Sequence, residues 1–364
     1  MLKHREFLMQ AHRYLADKHD VGGFYLSTKL DGKRCFWDGG LTRDMPTNKV
    51  PWANVLDPKT GKPKKNIKKV ATGLWSRYGN PISAPDWWLN QLPCIPLDGE
   101  LWAGNKSFDY CISVCSKKVA VAKEWNDIEY AILGSPPIES IFMDGSINNP
   151  QFRLNIKLLK IRDWIAKRPT SRLVDYQFLP LGTPFEQELR MLQNMVPLEG
   201  NIYLHRQKKL PLKGFKEVIE HELDMVLKDG GEGIVLRAPY SVWTPHRSHD
   251  VLKYKPYLDD EGVVVGFTSG KATERGSKYL GMIGALILDY NGKRLELAGL
   301  TDAEREFQTR LMSVHAQANP GKDMPPGTCG KLFKVGQLVT FRYRELSPDG
   351  LPKEGRFLRK REAE

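Results

Sequence analysis

Apolar and polar positions alternate in short runs along most of this chain, and only a few stretches carry helical spacing. The segment FYLSTKLDGKRCFWDGG (24–40) reads as strand, Asp31-Gly32 turn, strand, leaving Lys29 at the end of the first run and Arg34 inside the second. A further strand around 95–102 passes through Asp98-Gly99-Glu100. Apolar spacing of three to four residues predicts helices at 152–165 and 215–227. Asp229-Gly230-Gly231 supplies a stop for the second helix, ahead of a strand at 233–237. Residues 1–20 have apolar positions broken by charges, which predicts a short amphipathic helix and no secretory signal. Residues 41–74 are polar, lysine-rich and punctuated by prolines, and read as a long loop or insertion.

After Tyr257 the texture changes to short strands. GALILDYNGKRLEL predicts a hairpin with Asn291-Gly292 as a type I′ turn, and QLVTFRYREL alternates apolar with polar positions. A module of this size and texture suits a five-stranded nucleic-acid-binding barrel of about 100 residues. The expectation is an α/β body over the first 257 residues and an all-β domain over 258–364.

Length and composition narrow the picture. With 364 residues, 41% hydrophobic and 27% charged, the chain has the makeup of a globular protein of two or three domains. No apolar run approaches the roughly 20 residues a bilayer span needs. Five scattered cysteines, at 35, 94, 111, 115 and 329, argue against a disulfide framework and for a reducing, cytoplasmic compartment. Cys111 and Cys115 share a helix face at most, and read as packed thiols. Net charge is +12, and the excess clusters. Lysines 59, 62, 64, 65, 68 and 69 fall in one acid-free stretch, and the C-terminal tail adds another basic group. Clustered basic charge is the footprint of a polyanion, most often nucleic acid, and equally of an ordinary solvated surface.

The chemistry starts from Lys29. A lysine becomes a nucleophile only when burial or neighbouring positive charge lowers its pKa. Lys33 and Arg34 lie close in sequence, and Asp31 is placed to orient it or to hold a metal. Alone, the segment also reads as a hairpin with surface lysines. Three more segments change that balance. PLDGELWAG offers Asp98 and Glu100, GGEGIVLRAP offers Glu232 and Arg237, and VLKYKPYLDDEG offers Lys253 and Lys255 on one strand face. A nucleophilic lysine, carboxylates for a divalent ion and lysines for phosphate oxygens suit phosphoryl or nucleotidyl transfer.

At these residues the chain resembles the covalent nucleotidyltransferases: ATP-dependent DNA ligases, RNA ligases and mRNA capping enzymes. Lys29-Leu30-Asp31-Gly32-Lys33-Arg34 matches their KxDGxR signature. Ser76-Arg77, Asp98-Gly99-Glu100-Leu101-Trp102, Ile128-Glu129-Tyr130-Ala131, the stretch from Glu232 to Arg237 and Lys253-Tyr254-Lys255 resemble the later motifs, in order. KYLGMIGALIL and FRYRELSPDGLP look like the barrel of minimal viral, phage and bacterial DNA ligases. The resemblance implies an α+β fold, with an ATP-grasp-like nucleotidyltransferase domain over 1–257, an insertion at 41–74 and an OB-fold domain over 258–364.

It also implies a monomeric enzyme that uses ATP and a divalent metal, most naturally Mg2+, on nicked duplex DNA. Lys29 would carry AMP, with Asp31, Arg34, Lys253 and Lys255 as its catalytic company. Thr28, Leu30, Arg34, Glu100 on the ribose, Tyr130 stacked on the base and Glu232 would bind the nucleotide. Asp98 and Glu232 would hold the metal. Arg34, Arg77, Lys64, Lys65, Lys68 and Lys69 would meet DNA. The sequence departs from the pattern in three places. Thr28 stands where relatives often have Glu, Leu133-Gly134 where they often have Phe-Asp, and Arg361-Glu362-Ala363-Glu364 where an RxDK motif is expected. An RNA ligase or GTP-using capping enzyme shares the lysine chemistry, and a catalytically inactive OB-containing nucleic-acid-binding protein shares the charge.

Overall fold

Strand pairing, more than helix packing, organises this chain. The computed structural model describes residues 8–57, 60, 62–64, 69–137, 179–197, 200–270, 278–318, 333–347 and 349–361. Lys59, Lys65, Lys68, Cys329 and the helix expected at 152–165 lie outside the described residues. The chain divides into two compact units, Met1–Tyr254 and Lys255–Glu364.

Among its described residues the first unit holds two five-stranded sheets. One contains β1 (Gln10–Arg13), β2 (Tyr25–Lys29), β8 (Lys208–Lys209), β9 (Gly233–Arg237) and β10 (Arg247–Tyr254), in the order β1-β10-β9-β2-β8. The other contains β3 (Lys33–Asp38), β4 (Leu74–Ser76), β5 (Pro96–Trp102), β6 (Glu129–Gly134) and β7 (Ile202–Leu204), in the order β4-β3-β5-β6-β7. The expected hairpin at 24–38 is therefore not one. Lys29 ends a strand of the first sheet, and Lys33 begins a strand of the second. Residues 30–32 cross between them. Gly32 serves close approach rather than a hairpin turn, since a Cβ there would sit 2.2 Å from the Leu101 carbonyl oxygen.

Among the described residues of the unit, the α-helices are α1 (Asp86–Leu89), α2 (Phe108–Cys115), α3 (Phe185–Met195) and α4 (Phe215–Lys228). α4 forms where the 3.6-residue spacing predicts it, and Gly230, at φ 78°, lies just past its end. Cys111 and Cys115 are buried on one face of α2, as packed thiols. The second sheet's core gathers Trp88, Trp125, Leu97, Leu101 and Tyr130, and the first sheet's gathers Leu26, Ile219, Leu236 and Leu252.

One expectation needs correction and a second is refined. Residues 10–13 form β1 rather than a helix, because β10 satisfies their backbone in parallel: Gln10 N donates to His246 O (3.0 Å) and Tyr14 N to Lys253 O (2.9 Å). The described part of 41–74 is largely irregular, as a loop or insertion is, but it is packed rather than open. Its polar average hides Trp52, fully buried and edge-to-face with Phe36 and Trp75 at 6.0 Å each.

The second unit is a barrel of β11 (Leu258–Ser269), β12 (Ile283–Tyr290), β13 (Lys293–Leu297), β14 (Leu338–Tyr343) and β17 (Arg356–Lys360), in the order β13-β12-β11-β14-β17. A parallel bridge between Ala298 and Arg356 brings the two outer strands together. α5 (Asp302–Ala318) lies between β13 and β14 in sequence, and β15 (Glu345–Leu346) pairs with β16 (Pro352–Lys353) as a short ribbon. Asn291 and Gly292 take φ of 53° and 75°, the two positive values a type I′ turn requires. The interior is apolar, with Val264, Leu286, Leu288, Phe333 and Phe341 all fully buried. No described helix is long and apolar enough to cross a membrane.

Candidate active site

A cavity of about 580 Å³ opens between the two sheets of the first unit, and its wall includes Lys29, Arg34, Arg77, Asp98, Glu100 and Lys253. Thr28, Leu30 and Asp31 line it too. Lys29 reaches it because β2 ends there, paired with Gly233 of β9. Its ammonium donates to the carboxylate of Glu232, the residue immediately before β9. The Lys29 side chain keeps 26% of its surface exposed and lines the cavity, so its amine can be approached from there; Glu232 is not among the lining residues.

Arg34 belongs to the opposite sheet, where β3 pairs with β5 and sets Arg34 across from Glu100. Its guanidinium forks onto Asp98, Nε to Oδ1 at 2.6 Å and Nη2 to Oδ2 at 2.9 Å. Burial works against the arginine's charge, but Asp98 outweighs it and the pKa of Arg34 is raised. Trp243 Nε1 donates to Asp98 Oδ2 at 3.1 Å. Glu100 is pushed up to about 7 by burial, against the pull of Arg34 and Lys29. A carboxyl at that value changes charge in the neutral range.

Tyr130 does not reach the cavity. It is fully buried in the core of the second sheet, and its hydroxyl donates to Leu97 O at 3.0 Å. The strand's alternation explains this: Tyr130 and Ile132 face the core, while Leu133 is half-buried and lines the cavity. Leu133, not Tyr130, is the β6 residue at the cavity wall, beside aromatics from elsewhere such as Phe108 and Phe185. Asp98, expected as a metal ligand, is engaged elsewhere: it accepts one hydrogen bond from Arg34 on Oδ1, and one each from Arg34 and Trp243 on Oδ2. Among the described residues, no group of three or more His, Cys, Asp or Glu side chains is placed to hold a metal.

Lys253 and Lys255 do not share a strand face, because β10 ends at Tyr254. Lys253 lines the cavity, whereas Lys255 opens the second unit and sets its ammonium 3.1 Å from Glu345. Arg77, at the cavity wall, lies 5.0 Å above the Tyr78 ring. Lys64 is half-buried and donates to Asn80 Oδ1 at 3.0 Å, and Lys69 is exposed; Lys65 and Lys68 lie outside the described residues. Arg361, at the place of the expected last motif, sets Nε 2.6 Å from Glu261.

Two cavity residues, Trp243 and Arg237, make contacts that the sequence does not signal. Trp243 sits in an irregular segment, and its role depends on a partner 145 residues away. Arg237 is legible as a charge at a strand end, but its buried pairing with Glu188 (3.0 Å) and its stacking on Phe185 (3.8 Å) are not.

Comparison with known proteins agrees with this architecture. Residues 276–361 match the DNA ligase OB-like domain family. A DNA ligase of Haemophilus influenzae is 21% identical over 355 residues, spanning 97% of this chain and 92% of the relative. A solved structure from a structure–function analysis of Lig E DNA ligases superposes with a TM-score of 0.61 and 22% identity, covering 97% of this chain and 98% of its own. The chain thus shares the fold of that solved structure, and its second unit holds the region that matches the OB-like domain.

Proposed function

We propose that this chain is an ATP-dependent DNA ligase that seals nicks in duplex DNA through a lysyl-AMP intermediate. The observation that carries this reading is Lys29, the lysine of KLDGKR, presented by a strand end into a cavity between two sheets with Glu232 on its ammonium. In the first step the amine nitrogen of Lys29 bonds to the α-phosphorus of ATP and the bond to the pyrophosphate oxygen breaks. The ammonium must first lose a proton, and Glu232 is the carboxylate in contact with it. Lys253 supplies positive charge where the phosphates would lie. In the second step a 5′-phosphate oxygen of the nick takes the AMP from Lys29. In the third the 3′-hydroxyl attacks that 5′-phosphorus and AMP leaves.

For the Mg2+ that the family resemblance implies, Glu232 fits an ion carried largely by ATP phosphates and water, which needs only one or two carboxylates. Asp98 already accepts from Arg34 and Trp243, which leaves Glu232 as the carboxylate beside Lys29 for that ion. Incubation with α-labelled ATP, then with nicked duplex DNA, tests the whole reading. The expected result is label on the wild-type protein, none on Lys29→Ala, and sealed DNA. Label from GTP instead of ATP, or sealing confined to nicked RNA, would transfer the protein to the capping or RNA-ligase reading.

A further inference from the structure

We infer that His205 is a positioning residue for Lys29, holding the strand end that presents the nucleophile; the inference rests on the proposed role of Lys29. β2 is paired unequally along its two edges. Its pairing with β9 runs through Lys29, but its pairing with β8 stops at Leu26, opposite Lys208. Leu210 N donates to Phe24 O at 2.8 Å on the β8 edge. Backbone groups alternate between edges along a strand, so the Thr28 carbonyl faces that same edge, beyond the point where β8 has ended.

The imidazole of His205 takes the place of the missing strand. Its Nε2 lies 2.8 Å from Thr28 O, and since a carbonyl only accepts, Nε2 carries the proton. His205 is itself held on the other sheet. It follows β7 directly, is 7% exposed, and donates its backbone N–H to Ile132 O of β6 at 2.9 Å. One residue therefore ties both walls of the cavity together at the residue before Lys29. Burial lowers the His205 pKa, with the bond to Thr28 acting in the opposite direction, so the ring is neutral at pH 7.

A buried histidine that only packs would matter equally to every step. A positioning role makes a narrower demand. Lys29 bonds to phosphorus in the first two steps, but sealing a nick that already carries AMP forms and breaks no bond to it. A strand end released by about 1 Å loses reactive geometry without unfolding a sheet still paired on its other edge, and such displacements slow a step by roughly a hundredfold.

The test uses the full chain and three variants. His205→Phe keeps a flat ring and removes the donor, His205→Gln restores a donor at similar reach, and His205→Asn has a donor too short to span the gap. Single-turnover formation of labelled lysyl-AMP at saturating ATP is compared with sealing of a pre-adenylylated nick. His205→Phe is expected to slow the first by about 10- to 100-fold while the second stays within about twofold and the apparent KM for ATP is unchanged. His205→Gln recovers most of the rate. If His205→Phe does not fold, the expected contrast is a fast His205→Gln and a slow His205→Asn. Equal losses in both activities, or equal adenylylation rates for Gln and Asn, overturn the inference. Absence of label on the wild type would overturn the proposed function and this inference with it. Label on the wild type with undiminished variants overturns the inference alone.

Discussion

Asp98 holds Arg34 by two hydrogen bonds, at 2.6 and 2.9 Å, and is itself only 2% exposed. A carboxylate at that depth is tolerable only because it is paired and fully hydrogen-bonded. Asp98→Asn removes the charge and leaves the arginine facing an amide. Breaking a buried pair by losing one partner costs about 3–5 kcal/mol, and the partly exposed Arg34 places this case at the lower end, about 3 kcal/mol. Urea denaturation should show a lower midpoint with an unchanged slope. A loss under about 1 kcal/mol would put the pair in the class of surface ion pairs.

Glu100 gives a prediction in pH. Its folded value, about 7, lies above the ordinary 4.5, so between those two values the folded chain keeps a proton that the unfolded chain has released. Stability from this group is therefore greatest at low pH and falls as pH rises through the window. Glu100→Gln removes the titration. The stability of wild type minus that of Glu100→Gln should drop by about 2–3 kcal/mol from pH 4.5 to 7.5 and then level off. Paired urea melts across that range measure it, and a flat difference would show that Glu100 is ionised in the fold throughout.

Tyr130 in the core and Leu133 at the cavity wall allow stability and nucleotide binding to be tested separately. Tyr130→Ala empties a fully buried site and should cost about 3–5 kcal/mol. Leu133→Ala, at the half-buried cavity wall, should raise the KM for ATP several-fold in the adenylylation assay and move the thermal midpoint little. The opposite pattern would return the base wall to Tyr130.

These residues also mark what the sequence makes legible. The barrel is readable because Asn291-Gly292 demands a turn that few other pairs tolerate, and the flanking alternation then sets the strands. Lys29 at a strand end is readable from the apolar run that precedes the Asp-Gly pair. The partition of β2 and β3 between two sheets is not, because a period of two tells which residues share a face and is silent on which strand comes alongside. The same limit hides His205 and Trp243: each acts through one bond to a residue distant in sequence, and neither leaves a periodic trace. Residues 10–13 mislead because charges interrupting an apolar run are compatible with a short edge strand as well as with a helix.

Two lysines of the 41–74 segment give the last prediction, in salt dependence. Each phosphate neutralised on duplex DNA steepens the log–log dependence of affinity on salt by about 0.9. Lys69 and Lys64 differ in what they have to give up. Lys69 is exposed, so Lys69→Ser should flatten the slope by close to that full amount if its ammonium meets a phosphate. Lys64 is half-buried, its pKa is lowered by burial, and it already donates to Asn80 Oδ1 at 3.0 Å. Its job in the fold is to brace the segment ahead of β4. Lys64→Ser should therefore leave the slope nearly unchanged while lowering the thermal midpoint by a few degrees. Binding of a nicked duplex, titrated from low to moderate salt for wild type and both variants, decides it. A full change of slope for Lys64→Ser with an unaltered melt would place that ammonium on the DNA backbone and release Asn80 from its role. An unchanged slope for Lys69→Ser would remove Lys69 from the DNA contacts, and labelling by ATP should be the same in all three proteins.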